Sequence, residues 1–314
     1  MLVNHTRVAY FIFKGITEAP ELQVVIFLLV LLIYLITLGG NMTIFLLICL
    51  DHRLHTPMYF FLANLSIVDI SCSTVTLQRI LVNFVTKNNT VGFHACITQC
   101  YLFGSLSSHE LYILTAMSCD RYIAICKPLN YYLIMNFKTC GVLALSCGLL
   151  GFLQIIPYCV LIVNISCYSS NEIDHFLCDL LPIMKIACSD ISVLEALSFI
   201  QGLLMFFITP FCLTLISYFL IIITILKIPS NIGRRKAFYT CSSHLTVIIL
   251  LYITLTIQYV VLNKSFGSTK LFSLFNSAIV PMLNPVLYSL KNKDVKSAFK
   301  QKLGSIKGTA SLNL

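Results

Sequence analysis

The chain has 314 residues, 58% of them hydrophobic and only 11% charged, and a mean hydropathy of +0.90. A domain folded in water dresses its surface with about 25% charged residues, so a soluble fold is excluded. The formal charge of +9 is spread over short segments between apolar runs, which speaks for membrane topology and against a nucleic-acid-binding patch.

The first twenty residues carry Arg7, Lys14 and Glu18 with no apolar core ending in small residues, so no removable signal peptide is expected. The first apolar run would itself address the chain to the membrane. Asn4-His5-Thr6 is a glycosylation sequon. Asn88-Asn89-Thr90 is another, close to the membrane, and Asn41-Met42-Thr43 and Asn64-Leu65-Ser66 match the same pattern inside apolar runs.

Seven apolar runs follow, over 24–50, 58–82, 95–126, 139–163, 195–226, 238–262 and 271–290. Each approaches or exceeds the roughly 20 helical residues that cross a ~30 Å hydrocarbon core. The third and fifth are longer than a span needs, so tilt or projection is expected. Pro157, Pro210, Pro281 and Pro285 lie within runs and read as kinks, because neighbouring helices re-satisfy the freed carbonyls. The sequence thus predicts an all-α integral membrane bundle in three parts: an outer N-terminus over 1–23, the seven spans over 24–290, and a tail over 291–314.

An odd number of spans puts the two ends on opposite sides. Arg53, Lys127, Lys138, Lys227, Arg234, Arg235, Lys236 and the tail residues Lys291, Lys293, Lys296, Lys300, Lys302 and Lys307 share one side. Arg7, Lys14, Arg79, Lys87, Lys185, Lys264 and Lys270 share the other. The positive-inside rule places the N-terminus outside the cell and the tail in the cytoplasm. In that tail Val295, Phe299 and Leu303 recur every four residues among lysines. The pattern predicts a short amphipathic helix on the anionic inner leaflet, with membrane lipid as its partner.

Of the 14 cysteines, Cys96, Cys167, Cys178 and Cys188 fall at or beyond outer helix ends. That compartment is oxidising, and four cysteines allow three pairings. The other ten read as small apolar residues, and no His/Cys spacing forms a metal site.

Ionisable groups inside spans are rare and usually functional. Asp69 lies midway along the second run and Glu110 midway along the third. Two facing carboxylates cannot both ionise cheaply without a cation. The expectation is a site for a sodium ion or a shared proton, with Asn41 and Ser107 as polar neighbours. The adjacent Asp120 and Arg121 end the third run, able to pair with each other or to be released to a partner.

Ordered motifs then point to a family. Leu54-His55-Thr56-Pro57-Met58-Tyr59-Phe60-Phe61-Leu62 opens the second run, and Met117-Ser118-Cys119-Asp120-Arg121-Tyr122-Ile123-Ala124-Ile125-Cys126 closes the third. Lys236-Ala237-Phe238-Tyr239-Thr240-Cys241-Ser242-Ser243-His244-Leu245 enters the sixth, and Pro281-Met282-Leu283-Asn284-Pro285-Val286-Leu287-Tyr288-Ser289-Leu290 ends the seventh. With Gly40-Asn41 and His175-Phe176-Leu177-Cys178-Asp179, this set resembles the odorant receptors, a branch of the rhodopsin-like G-protein-coupled receptors. The Ser289–Asp294 ending is similar to that of the tetrapod class. Ser118 and Cys119 depart from the usual Ala and Tyr of the third-helix motif, Gln78 stands where Pro is common, and Ile253 where Gly usually follows Tyr252.

The resemblance implies a rhodopsin-like bundle and no enzymatic activity. It implies disulfides Cys96–Cys178 and Cys167–Cys188, and activation parts at Asp120, Arg121, Tyr122, Tyr218, Tyr252, Asn284 and Tyr288, with Tyr252 in the toggle position of the sixth helix. By motif position the ligand would meet Phe103, Gly104, Ser107, Ser108, Phe199, Gly202, Leu203, Phe206, Leu255, Thr256, Tyr259 and Ser277. This lining is apolar with a few hydroxyls and holds no Lys or Arg, so a neutral, largely apolar volatile is expected. The readout would be a stimulatory, olfactory-type G protein and cyclic AMP, at the plasma membrane. A transporter would need inverted repeats or several polar spans. An intramembrane hydrolase would need a partner motif beside Asp69 and Glu110. Neither is present in the sequence.

Overall fold

A computed structural model describes residues 8–17, 19–257, 269–291 and 294–302 of the chain. Helices dominate. The first, Pro20–Leu50, and the second, Pro57–Thr86, each begin with a proline at the first helical position, where its missing N–H costs nothing. Lys87, at φ 52°, turns the chain out of the second helix. The third runs over Phe93–Cys126 and the fourth over Phe137–Leu153 and Ile156–Val163, its start capped by the Asn136 carboxamide, which accepts the Thr139 N–H at 2.9 Å. The fifth is built from Ser192–Gln201, a π-helical stretch Gly202–Ile208, and Thr209–Leu226. The sixth covers Asn231–Thr256. The seventh joins Thr269–Leu274, a π-helical stretch Phe275–Ile279, and Val280–Lys291. Residues 294–302 form the short tail helix.

Among the described residues, five stretches are long and apolar enough to cross a membrane: Glu21–Leu50, Pro57–Thr86, Phe137–Val163, Ser192–Leu226 and Lys270–Leu287. The sixth helix contributes a shorter apolar segment, His244–Thr256, among the described residues. The third helix is less apolar because it stands at the centre and faces protein instead of lipid. Its Ser105, Ser108, Glu110, Ser118 and Asp120 are all buried. Several of these hydroxyls are satisfied within the helix: Ser108 donates to the Gly104 carbonyl at 2.7 Å and Ser118 to that of Leu114 at 3.0 Å.

Close packing joins the first helix to the seventh. A Cβ added at Gly40 would meet the Pro285 ring at 2.9 Å, so only glycine permits this approach. Pro285 has no N–H to give the carbonyl four residues back, that of Pro281. The Asn41 carboxamide supplies the missing donor at 3.1 Å. A kink written into one helix is thus repaired by a side chain of another.

At the end of the bundle that carries the N-terminal segment lies a feature that hydropathy did not predict. Strand β1 (Tyr10–Phe13) pairs antiparallel with β2 (Thr90–Gly92) and parallel with β3 (Glu172–Ile173). Its alternate side chains Phe11 and Phe13 are fully buried, in a cluster with Ile97, Ile162, Tyr168 and Ile173. Gly15, at φ 75°, turns the chain after the strand towards the first helix. The N-terminal segment therefore straps the first and second outer loops together.

Candidate functional site

The segment joining the fourth and fifth helices is tied down across one end of the bundle. Cys96 is joined to Cys178, pinning the loop to the third helix, and Cys167 is joined to Cys188 within it. Gln99 adds a second tie, accepting the Cys178 N–H at 3.1 Å and donating to the Val75 carbonyl at 3.0 Å. Ion pairs complete the closure, Lys270 with Asp174 at 2.6 Å and Lys14 with Glu172 at 3.5 Å. Beneath, Phe176 and Leu177 are buried in one cluster with Phe103, Leu251 and Tyr252, with Leu255 packed against it.

Burial holds His175 neutral, pushing its pKa down to about 4, and the Lys270 ammonium adds to the effect. Its Nδ1 accepts the Leu177 N–H at 3.3 Å. Burial pushes Asp179 the opposite way, up to about 6, against the N–H of Leu180 that bonds its carboxylate at 2.7 Å.

The expected ligand-facing residues divide. Phe103, Ser108 and Ser277 are buried in the interior, and only Ser277 among these has a hydroxyl left without a hydrogen bond among the described residues. Thr256 donates to the Tyr252 carbonyl at 2.7 Å. Gly104 lies against Ile155 of the fourth helix, at 3.4 Å from an added Cβ, and Ser107 lies beside Cys72 of the second. Phe199 and Leu203 do not face inwards: they are 71% and 41% exposed. The inward face of the fifth helix follows Leu194, Leu197, Ser198 and Gln201 at helical spacing, which carries Phe199 off it, and the π-helical turn at Gly202 then shifts the register. Tyr259 and the sequon residue Asn4 lie outside the described residues, as do the side chains of Phe206 and Tyr288.

A bridge that sequence reasoning missed crosses the outer half. Tyr112 donates to the Gln154 side chain at 2.7 Å, and Gln201 donates to the Gln154 carbonyl at 3.0 Å, tying together the third, fourth and fifth helices. Asn276, in the π-helical stretch of the seventh helix, accepts a hydrogen bond from Thr254 of the sixth. Isolated amides on apolar runs carry no motif; the only sequence signal was their polarity at membrane depth.

At mid-depth one carboxamide joins the two acids. Asn284 donates to Asp69 at 2.9 Å and to Glu110 at 3.4 Å, and all three are buried. Asp69 Oδ1, Asn284 Oδ1 and Ser73 Oγ have no hydrogen-bond partner among the described residues. These hard oxygen atoms, beside two acids, fit a small hard cation. Asn41 does not join them, since both bonds from its amide go to backbone carbonyls, those of Thr37 and Pro281.

At the opposite end of the bundle the third helix carries a buried ion pair. Arg121 pairs with Asp120, its Nε 3.0 Å from Oδ2, and Tyr131 donates to the other carboxylate oxygen at 2.8 Å. Asp120 is fully buried and the Arg121 side chain is only 13% exposed. Tyr122 is partly buried beside them. Tyr218 of the fifth helix lies 2.6 Å from His244 Nδ1 of the sixth, and His244 also meets the Leu114 carbonyl of the third. His244 stood within a motif without an assigned role; burial identifies it. Tyr252 packs edge-on to Phe211, ring centroids 5.0 Å apart.

The sequence profile of the olfactory receptor family matches residues 30–305. Olfactory receptor 6C3 of Homo sapiens is 44% identical over 300 residues, covering 95% of this chain and 96% of the relative. Olfactory receptor 5AR1 of Mus musculus is 42% identical over 304 residues, covering 96% and 97%. Among solved structures, squid rhodopsin superposes with a TM-score of 0.72 over 91% of this chain and 82% of its own, at 18% identity, a likeness of fold alone.

Proposed function

The chain belongs to the olfactory receptor family, and from that premise we propose that it binds a small, neutral, largely apolar volatile inside the bundle and activates a stimulatory, olfactory-type G protein to raise cyclic AMP. As a member of this family it is a multi-pass membrane receptor and not an enzyme. The observation that carries the reading is the closed inner latch: Arg121 held by Asp120 and Tyr131, with Tyr218 bonded to His244. A ligand that binds the open bundle better than the closed one shifts the equilibrium by that difference and no more.

The ligand class follows from the interior. Phe103, Phe176, Leu177 and Leu255 are apolar, and Ser277 offers a hydroxyl for a ligand carbonyl or alcohol. None of these residues can compensate a buried charge. The signalling role is tested with surface-matched cells challenged with neutral volatiles: cyclic AMP should rise in the wild type and stay flat in Arg121→Ala.

The acid pair is the proposed site of a sodium ion or a shared proton, held by Asp69, Glu110, Asn284 and Ser73. It supports the closed state by neutralising two carboxylates in an apolar place. At the inner membrane face the tail helix buries Val295 and Ala298 and leaves Phe299 exposed beside Lys296 and Lys300. The expected three-residue stripe thus divides between bundle and surface, its last member Leu303 lying outside the described residues. The exposed ring and lysines suit anionic lipid at the inner leaflet of the plasma membrane, with the N-terminus outside and the tail in the cytoplasm.

A further inference from the structure

The chain between the third and fourth helices has two unlike faces. It consists of two short helical turns, Pro128–Asn130 and Tyr131–Ile134. One face is pinned to the bundle: Tyr131 donates to Asp120 at 2.8 Å, and Met135, four residues on, is buried. The opposite face is apolar and bare. Leu129, Tyr132 and Leu133 are 99%, 76% and 79% exposed, and Phe137 just beyond is 67% exposed. No acidic residue lies between Lys127 and Lys138, and these two exposed lysines stand at its ends.

Large apolar side chains exposed together mark a surface with a partner, and position decides which. Phe137 is the first residue of the stretch Phe137–Val163, which is long and apolar enough to cross a membrane. The same helix exposes Val142, Leu145 and Leu149 along its length, so the bare face is continuous with a surface that meets lipid. Only Met135 and Asn136 separate the turn from that stretch, which puts the turn at headgroup depth. A tyrosine among leucines, with a lysine at each end, suits an anionic interface: the apolar groups reach the acyl boundary and the ammonium groups stay with the phosphates. We propose that this segment is an interfacial anchor, inserting Tyr132, Leu133 and Phe137 among anionic lipids of the inner leaflet. The choice of leaflet rests on the topology proposed above. Because Tyr131 belongs to the same turn, lipid held by one face braces the Asp120–Arg121 pair held by the other.

The chain contains no tryptophan, so a single introduced indole reports alone. Leu133→Trp and Tyr132→Trp place it on the turn, and Leu149→Trp places it on the exposed side of the fourth helix as a lipid-contact reference. The full receptor is set in nanodiscs of phosphatidylcholine, with or without an equal share of phosphatidylserine. In both, the lipids carry bromine high on their acyl chains, which quenches indole on contact. Nanodiscs present the same lipid to both ends of the bundle, so the outcome depends neither on topology nor on signalling. Leu149→Trp should be quenched in either lipid. The two turn variants should emit in the blue and be quenched, more strongly with phosphatidylserine. There, Lys127→Gln and Lys138→Gln should each lower the ratio of inserted to free turn about fivefold. Solvent-like, unquenched emission at both turn positions beside a quenched Leu149→Trp overturns the anchor. Quenching blind to phosphatidylserine and to the lysines overturns it too. So does emission that moves to the blue only when G protein is added, which gives the face to a protein partner.

Discussion

The Tyr218 hydroxyl lies 2.6 Å from His244 Nδ1 and joins the fifth helix to the sixth at the level where the third carries Arg121. The bond is made in the interior, both residues being buried. It holds the latch from the side, while Asp120 and Tyr131 hold it from below.

Removing the imidazole should loosen the closed state. His244→Phe keeps the ring and loses the bond, worth about 0.5–1.5 kcal/mol net, so the open fraction should rise about two- to tenfold. Basal cyclic AMP, normalised to surface receptor, reads this directly. Unchanged basal signal would show that the bond does not restrain the bundle.

The first and seventh helices meet without room for a side chain. Gly40→Val drives methyl groups into the Pro285 ring, which has little freedom to move, and should cost about 1–3 kcal/mol. A lower melting temperature in detergent and reduced surface delivery are expected. Asn41→Ala should lower the melting temperature too, because it leaves the Pro281 carbonyl without its donor. A melting temperature equal to the wild type in both variants would contradict the packing argument.

The acid pair should make activation sensitive to sodium. Raising external sodium is expected to shift the concentration–response curve to higher ligand concentration in the wild type. In Glu110→Gln and Asp69→Asn this shift should shrink or vanish. A sodium and pH response identical in all three proteins would remove the ion or proton from the account.

Two groups of the second outer loop titrate in opposite senses. His175 falls from the ordinary 6.5 to about 4, so the folded loop resists its protonation and stability is lost as pH drops below 6.5. Asp179 rises from 3.8 to about 6, so the folded loop favours its proton and stability is gained as pH drops below 6. The two nearly offset each other between pH 4 and 6. Asp179→Asn should expose the His175 slope, up to about 1.4 kcal/mol per pH unit, with the melting temperature falling towards pH 4. His175→Gln should expose the reverse slope. Parallel pH profiles for the two variants would contradict these assignments.

Much of the fold was legible because hydropathy reports lipid contact and the motifs report order along the chain. The bundle and its prolines were readable that way, whereas the pairing of the four outer cysteines came only from the family resemblance. The strap formed by Tyr10–Phe13 was not, since four residues paired across distant loops carry no local period. Phe199 misled because a residue's face depends on helical register, and the π-helical turn beginning at Gly202 alters it. Asn41 was placed at the acid pair on polarity alone. Its actual partner, the Pro281 carbonyl, is set by the missing N–H of Pro285 on another helix. Asn284 took its place beside Asp69 and Glu110 because Val280–Lys291 packs against the second helix there.

The central claim is that a neutral volatile bound in the bundle opens the Arg121 latch and raises cyclic AMP. Its most direct measurement is cyclic AMP in transfected cells exposed to a chemically diverse volatile panel, with Arg121→Ala matched for surface level. The account expects responses to neutral, largely apolar compounds in the wild type and none in the variant. Activation confined to charged acids or amines, or an undiminished response in Arg121→Ala, would contradict it.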